Sequence, residues 1–511
     1  MKKLIFLFFS VATSLLLIGQ PTFHNIYDIT NGFSENAFNM VVVQDGLYLN
    51  CGTWCSEDFK SCPILFKVNN NGDSLWHRQY DHNLADYSIW DYVIDPNEEY
   101  LYACGRIADE DQLPFIVKMN EWGDTLWLKT YYEPYWDVAF DIEQDHDGNL
   151  VVSINGGSFG EFGNWSVIKT DTAGQMLWST TIEDTIDYTY YGRIAVLEDN
   201  SIMMANYFAP PLGEGKRAYS VAKLNADGEQ EWWREYDVLE NSSTHPSLIA
   251  AHPNGGVITG WAFDTLRQPG VHPDEGPFLR YLDADGEIIW EYRYLDYRSA
   301  EITNLTIAEN GDIIMCGSAP STSIGPDDAE RAWLARVTSE GELLWRRYYR
   351  GLNLPTHTKP FNAVVETSDG GIAACTDIQD FSITPIPDPD VWLVKTDADG
   401  CITPGCQDSI LYVSVEEIPD TGETALKEVF FKAYPNPARG PIQVEFLNAI
   451  RYEEPALRLF NLQGQQVLHQ RLQRGAQSAE LSTSGLPSGL YILQYSSAGQ
   501  VLQQEKVVKV E

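Results

Sequence analysis

The chain has 511 residues, too many for one ordinary core, so two or more domains or a repeat array with additions is expected. Its 34 Lys and Arg against 73 Asp and Glu give a formal charge of −39, a field that repels nucleic acid and anionic membrane surfaces and favours cations or neutral partners. Nucleic acid is therefore not an expected partner, and 44% hydrophobic with 21% charged residues is the composition of a globular protein.

The first residues, MKKLIFLFFSVATSLLLIGQ, place Lys2 and Lys3 before an apolar run from Leu4 to Gly19. That order predicts a secretory signal peptide over residues 1–19, cut near Gly19 and Gln20. The run is short for a membrane anchor, no Cys follows for a lipoprotein link, and no transmembrane segment is expected after signal removal. Export permits disulfides. Cys401 with Cys406, and Cys55 with Cys62, are spaced for loop-clamping bridges, whereas Cys51, Cys104, Cys316 and Cys375 fall in strand-like contexts as small buried residues.

From residue 66 one phrase recurs. KVNNNGDSLW, KMNEWGDTLW, KTDTAGQMLW, KLNADGEQEW, RYLDADGEIIW, RVTSEGELLW and KTDADGCITP align on Gly72, Gly123, Gly174, Gly228, Gly286, Gly341 and Gly400. Spacings of 51, 51, 54, 58, 55 and 59 residues suit a four-stranded propeller blade, seven times over. A second hairpin precedes each phrase, as in AFDIEQDHDGNLVVSINGG (139–157) and LTIAENGDIIMCGSA (305–319), with Asp-Gly or Asn-Gly between alternating apolar residues. Trp76, Trp127, Trp178, Trp232, Trp290 and Trp345 open the fourth strands, and Tyr80, Tyr131, Tyr236, Tyr294 and Tyr349 follow four residues later on the same strand face. These aromatics are expected to pack between blades.

The seventh unit stops after Gly400, where a fourth strand should begin, while PTFHNIYDIT (21–30) is strand-like and belongs to no unit. The N-terminal strand is expected to complete the last blade and close the ring. On these phrases, residues 20–400 resemble bacterial seven-bladed β-propeller repeats, which implies an all-β architecture and leaves activity open.

Residues 401–427 read as a linker. Residues 428–511 then carry eight Lys and Arg, seven Asp and Glu, and no Asp, which leaves about −40 on the rest of the chain. Short alternating strands over this length predict a small Ig-like β-sandwich. YPNPARG (434–440), LFNLQGQQV (459–467), LSTSGLPSGLYIL (481–493) and KVVKV (506–510) resemble the type A C-terminal sorting domain of type IX secretion cargo in Bacteroidetes. The residues that carry the resemblance are Tyr434, Pro435, Asn436, Pro437, Gly464, Gly489, Tyr491 and Lys506, with Gly464 and Gly489 expected at turns and Tyr491 in a core strand. It implies the type IX machinery as partner and a secreted or outer-membrane surface location.

No catalytic motif is found. GGSFG around Ser158 lacks the strand-to-helix setting of a nucleophile, and the nine His have no metal-ligand spacing. DHDG (145–148) and DADG (283–286 and 397–400) are expected as turns; no metal or other cofactor is expected, though weak surface Ca²⁺ is compatible with the charge. Aromatic-rich connections between blades, DYSIWD (86–91), YYEPYWD (131–137), DYTYYGR (187–193) and YLDYRSAE (294–301), nominate Tyr135, Trp136, Tyr190, Tyr191 and Tyr297 as a ligand-binding surface. The reading is a cell-surface or secreted binding module for a glycan or protein. The alternatives are an extracellular polysaccharide hydrolase or lyase, which needs converging carboxylates, and a structural surface component.

Overall fold

The computed structural model describes residues 21–30, 34–54, 61–80, 86–108, 112–132, 138–156, 165–182, 189–208, 216–240, 242–244, 248–265, 276–294, 301–319, 331–352, 360–379, 388–403, 406, 410–414, 417–419, 431–434, 438–446, 455–461, 466–474, 476–483, 485–497 and 500–509. Among them every regular element is a strand.

Each sequence unit folds as one antiparallel sheet. Blade 1, for example, is Glu35–Val43, Gly46–Trp54, Ser61–Asn69 and Ser74–Gln79 in simple meander order, and blades 2 and 3 repeat the pattern from Asp86 to Thr130 and from Val138 to Thr181. Seven such sheets form a seven-bladed propeller. The first strand of each blade lies against the first strands of both neighbouring blades, and that of blade 7, Ala363–Glu366, lies against that of blade 1. The first strands are therefore innermost, around a central channel.

The N-terminal strand Phe23–Asp28 is the fourth strand of blade 7, antiparallel to Asp390–Thr396, with Asn25 opposite Leu393 and Tyr27 opposite Val391. Seven apolar clusters fill the blade interfaces; the one between blades 7 and 1 joins Ala363, Ala373 and Cys375 to Leu49, Cys51 and Ile64. The four strand cysteines are free and buried within these clusters.

The repeated phrase is explained residue by residue. In six of the seven turns the first residue is Asn or Asp and accepts two backbone N–H groups with one side-chain oxygen, while Thr338 in blade 6 accepts one from Glu342 at 3.1 Å. Asn69 takes those of Asn71 and Asp73 at 2.9 Å each, and Asp397 takes those of Asp399 and Cys401 at 3.0 and 2.8 Å. The glycine then sits in the left-handed region, with φ of 72 to 85° at the seven positions. In blades 1, 3, 6 and 7 the Lys or Arg before the turn reaches back to the acidic turn of the other hairpin in its own blade: Lys67 to Asp45 at 2.6 Å, Lys169 to Asp145 at 2.6 Å, Arg336 to Asp312 at 2.8 Å and Lys395 to Asp369 at 2.7 Å.

The aromatic pair joins one blade to the next. Tyr80, Tyr131, Tyr236, Tyr294 and Tyr349 donate their hydroxyls to the carbonyls of Gly123, Gly174, Gly286, Gly341 and Gly400 at 2.6 to 3.0 Å. In blade 3 Ile182 takes the tyrosine place, and Thr180 donates to Gly228 at 2.5 Å instead. Tyr27 of the N-terminal strand makes the seventh bond, to Gly72 at 2.7 Å. The indole rings cover these same glycines and are only partly buried against the interface clusters. Phe23 covers Gly72 in their place.

After the propeller, Cys401 and Cys406 form a disulfide. Cys62 is also disulfide-bonded, and Cys55 lies outside the described residues. The segment expected as linker carries two strands: Ile410–Ser414 runs parallel to the outer strand of blade 6, and Glu417–Pro419 runs parallel to Phe23–Asp28. The carboxy-terminal sandwich pairs one sheet of Phe431–Tyr434, Ile442–Phe446 and Ser478–Leu481 with another of Ala456–Asn461, Gln466–Arg471, Gly489–Ser497 and Gln500–Lys509, around Val444, Leu459, Tyr491 and Leu493.

Candidate functional site

The innermost strands are bulged, and the bulges shape the channel wall. Register slips between Ala37 and Asn39, Ile89 and Asp91, and Ala139 and Asp141, which leaves Phe38, Trp90 and Phe140 as extra residues in blades 1, 2 and 3. A polar residue follows each one. Asn39 donates to Asp91, Asp91 accepts the Ile142 N–H at 3.2 Å, and Asp141 accepts the Ile194 N–H at 2.7 Å, with Arg193 of blade 4 at 3.9 Å from its other oxygen. One turn of pleat further on, Glu143 accepts the Val196 N–H at 2.8 Å. Each carboxyl thus caps an inner-edge N–H of the next blade, a group no fifth strand is there to pair.

A cavity of about 840 Å³ opens at the hairpin-turn end of these strands, between blades 2 and 3. Asp91, Pro96, Asp141, Glu143, His146 and Asp147 are among its lining residues. Asp91 and Asp141 are 7% and 6% exposed. Burial, with the Asp141 charge beside it, pushes the Asp91 carboxyl well above the usual carboxylate range. Burial, again with Asp141, pushes Glu143 up to about 8, against the opposing pull of the Val196 N–H. Asp145 behaves oppositely: burial raises it, but Lys169 and Asn149 outweigh burial and hold it below the usual range. The wall therefore sets carboxyl groups that favour the proton beside one that favours its charge.

Of the nominated ligand-binding residues, Tyr135, Trp136 and Tyr297 lie outside the described residues, as does Ser158. Tyr190 and Tyr191 are not in a connection; their backbone belongs to the blade 4 inner strand Thr189–Val196, where Tyr190 pairs with Tyr207. DYSIWD is likewise strand, because the inner strand of blade 2 begins at Asp86. The three acidic turns have the backbone role described above: Asp145 accepts from Asp147 and Asn149, and Asp283 from Asp285 and Glu287. Asp28, Glu35 and Asp390 bring oxygens within 4.8 Å of one another, but Glu35 already accepts the N–H groups of Ile29 and Thr30 at 3.1 and 2.6 Å. The sequence reading missed the bulge signal. It is an aromatic followed by Asn or Asp at one place in three successive units: Phe38-Asn39, Trp90-Asp91 and Phe140-Asp141.

In the sandwich, Tyr491 is buried and donates to the Pro487 carbonyl at 2.7 Å. Gly489, expected at a turn, instead opens a strand opposite Lys509, and the turn glycine is Gly485 with φ of 87°. Lys506 pairs with Ile492, and Tyr434 with Gln443. Pro435, Asn436, Pro437 and Gly464 lie outside the described residues. Residues 432–510 match the family described as secretion system C-terminal sorting domain. This sandwich is a type IX sorting domain. The sorting domain addresses the chain for secretion and for cell-surface or outer-membrane attachment, through the type IX machinery. Among the described residues no helix is long and apolar enough to cross a membrane.

No curated protein matches the chain. Among solved structures it is similar to a protein of unknown function from Dyadobacter fermentans, at 11% identity and a TM-score of 0.42 over 73% of this chain and 97% of that one. It is also similar to an ulvan lyase, a polysaccharide lyase, at 8% identity and a TM-score of 0.44 over 73% of this chain and 96% of that one. The β-propeller domain of the trilobed protease from Pyrococcus furiosus matches at 9% identity and a TM-score of 0.39, over 70% and 95%.

Proposed function

We propose that the propeller is an exported binding module that holds a glycan or a protein segment at the hairpin-turn mouth of its channel. The observation that carries this reading is the cavity of about 840 Å³ with Asp91, Asp141, Glu143 and Asp147 in its wall. Its size is that of a site for a drug-sized or oligomeric ligand rather than a structural void. Carboxyl groups that hold protons donate to a ligand, and ionised ones accept from hydroxyls or amines, so the wall offers both kinds of hydrogen bond.

The test is a glycan array and a peptide array probed with the full mature chain and with its Glu143→Gln and Asp147→Asn variants. Each ligand bound by the parent is expected to be lost or weakened in at least one variant. Unchanged binding in both would remove the channel mouth from the reading.

A second reading has its own support. Glu143, protonated to about pH 8 beside Asp141, has the poise of a general acid next to a second carboxyl. A hydrolase reading expects products from a bound polysaccharide and their loss in Glu143→Gln. Binding without turnover leaves the module reading standing.

A further inference from the structure

The other end of the channel wall has a different chemistry. Phe38, on the blade 1 bulge, is 42% exposed, and Trp90, on the blade 2 bulge, is half-buried. Together with Gly52, Ser61, Ser88 and Ile89 they line a cleft of about 160 Å³ at the connection end of the inner strands. Neither side chain is placed there by core packing alone. A bulge adds one residue to the inner strand, and in blades 1, 2 and 3 that residue is aromatic. Trp90 is backed by Phe140, with ring centroids 5.3 Å apart, and Phe140 by the Arg193 guanidinium at 5.8 Å, so its ring is held in place from behind. The Phe38 ring lies over Gly52, where a Cβ would come within 2.8 Å of it. The indole Nε1 of Trp90 is shielded from solvent and has no acceptor among the described residues.

From this arrangement we infer that the Phe38–Trp90 cleft is a stacking subsite for a single neutral pyranose ring of an oligosaccharide. The claim rests on the glycan arm of the function proposed above and names the sugar class and the second contact surface. The cleft is well below the roughly 300 Å³ at which drug-sized ligand pockets begin, so it takes one ring and not a folded peptide. A pyranose has an apolar C–H face for the aromatic rings and equatorial hydroxyls for Ser61 and Ser88. Charge selects among sugars. The chain carries −39 overall, so uronate and sulfate sugars are repelled while neutral ones are not.

The experiment titrates the full mature chain with neutral cello-, manno- and chito-oligosaccharides and with oligogalacturonate, read by calorimetry and by saturation-transfer NMR. At least one neutral series is expected to bind and oligogalacturonate is not. Phe38→Ala, at an exposed ring, is expected to weaken binding by about tenfold while leaving the melting temperature unchanged. Trp90→Phe keeps a ring but with a smaller stacking face, and is expected to weaken binding by a smaller factor. Equal affinity of parent and Phe38→Ala overturns the subsite, as does preference for oligogalacturonate. If Glu143→Gln abolishes sugar binding while Phe38→Ala does not, the channel mouth stands and the stacking subsite falls. If peptides bind in a Glu143-dependent way and no neutral sugar binds, the subsite falls and the module reading survives without it.

Discussion

The hydroxyl of Tyr27 donates to the carbonyl of Gly72 at 2.7 Å, and so ties the N-terminal strand to the first repeated turn. The bond is the same one that Tyr349 makes to Gly400 at 2.7 Å, six blades later, and both tyrosines are almost fully buried. Burial pushes both phenols up, above the ordinary tyrosine range, so they remain donors at every pH the folded chain meets. Removing the Tyr349 hydroxyl takes away the side-chain donor to the Gly400 carbonyl, whereas the Gly72 carbonyl keeps the Asn25 amide, which also donates to it, at 2.9 Å. Tyr349→Phe is expected to cost about 1–3 kcal/mol in urea unfolding, and Tyr27→Phe less, because Asn25 still serves the Gly72 carbonyl. A Tyr27→Phe cost equal to or above that of Tyr349→Phe would show that the Asn25 amide does not stand in for the lost hydroxyl.

The turn glycines separate two physical effects. Gly228 and Gly255 both lie in the left-handed region, with φ of 85 and 84°. A Cβ on Gly228 would come within 2.6 Å of the Trp178 ring, whereas one on Gly255 meets nothing within 4 Å. Gly255→Ala is expected to cost about 1–2 kcal/mol for backbone strain alone. Gly228→Ala should cost more, because the indole that covers the turn must also move. Equal midpoints in a denaturant series would refute the covering role of Trp178.

The strap formed by Ile410–Ser414 and Glu417–Pro419 covers the outer edges of blades 6 and 7. Its second strand lies on the N-terminal strand itself, with Tyr27 opposite Ile418. A chain ending after Cys406 is expected to be less stable than one ending after Lys427 by about 1–3 kcal/mol, through the hydrogen bonds lost and the edges exposed. Hydrogen exchange should localise the loosening to residues 23–28 and 348–352, the two edges the strap pairs with. Matching stabilities and matching exchange in the two truncations would make the strap a passive tether.

Glu143 supplies a pH test. Its carboxyl, ordinarily near 4.5, is raised to about 8, so between those values the folded chain keeps a proton that the unfolded chain has released. Stability from this group is complete below 4.5 and falls as pH rises through 8. Glu143→Gln, which mimics the protonated form, is expected to flatten that decline in melting temperature while leaving the acid side unchanged. A parallel decline in both proteins would place the titrating group elsewhere.

The blades were legible because their determinants are local. A turn that needs φ above zero demands glycine, an Asx side chain satisfies its own turn, and strand alternation sets Trp and Tyr on one face, so Gly72 through Gly400 announce themselves in order. The tail motifs were readable for a similar reason, although the turn role expected of Gly489 belongs to Gly485. The aromatic connections misled because composition does not show where an inner strand begins. Tyr190 and Trp90 are in strands that start earlier than the Asp- and Tyr-rich text suggests.

By itself, then, the amino-acid order determined an all-β chain of seven alike units, a change of charge at the tail and the address that tail carries. Tertiary structure alone decided which carboxyls meet. Asp91 and Asp141 stand 50 residues apart in separate units and become neighbours only when two bulged inner strands are brought side by side around an axis. Their proton affinity follows from burial and mutual charge, which are properties of the closed packing and have no counterpart in any local run of residues.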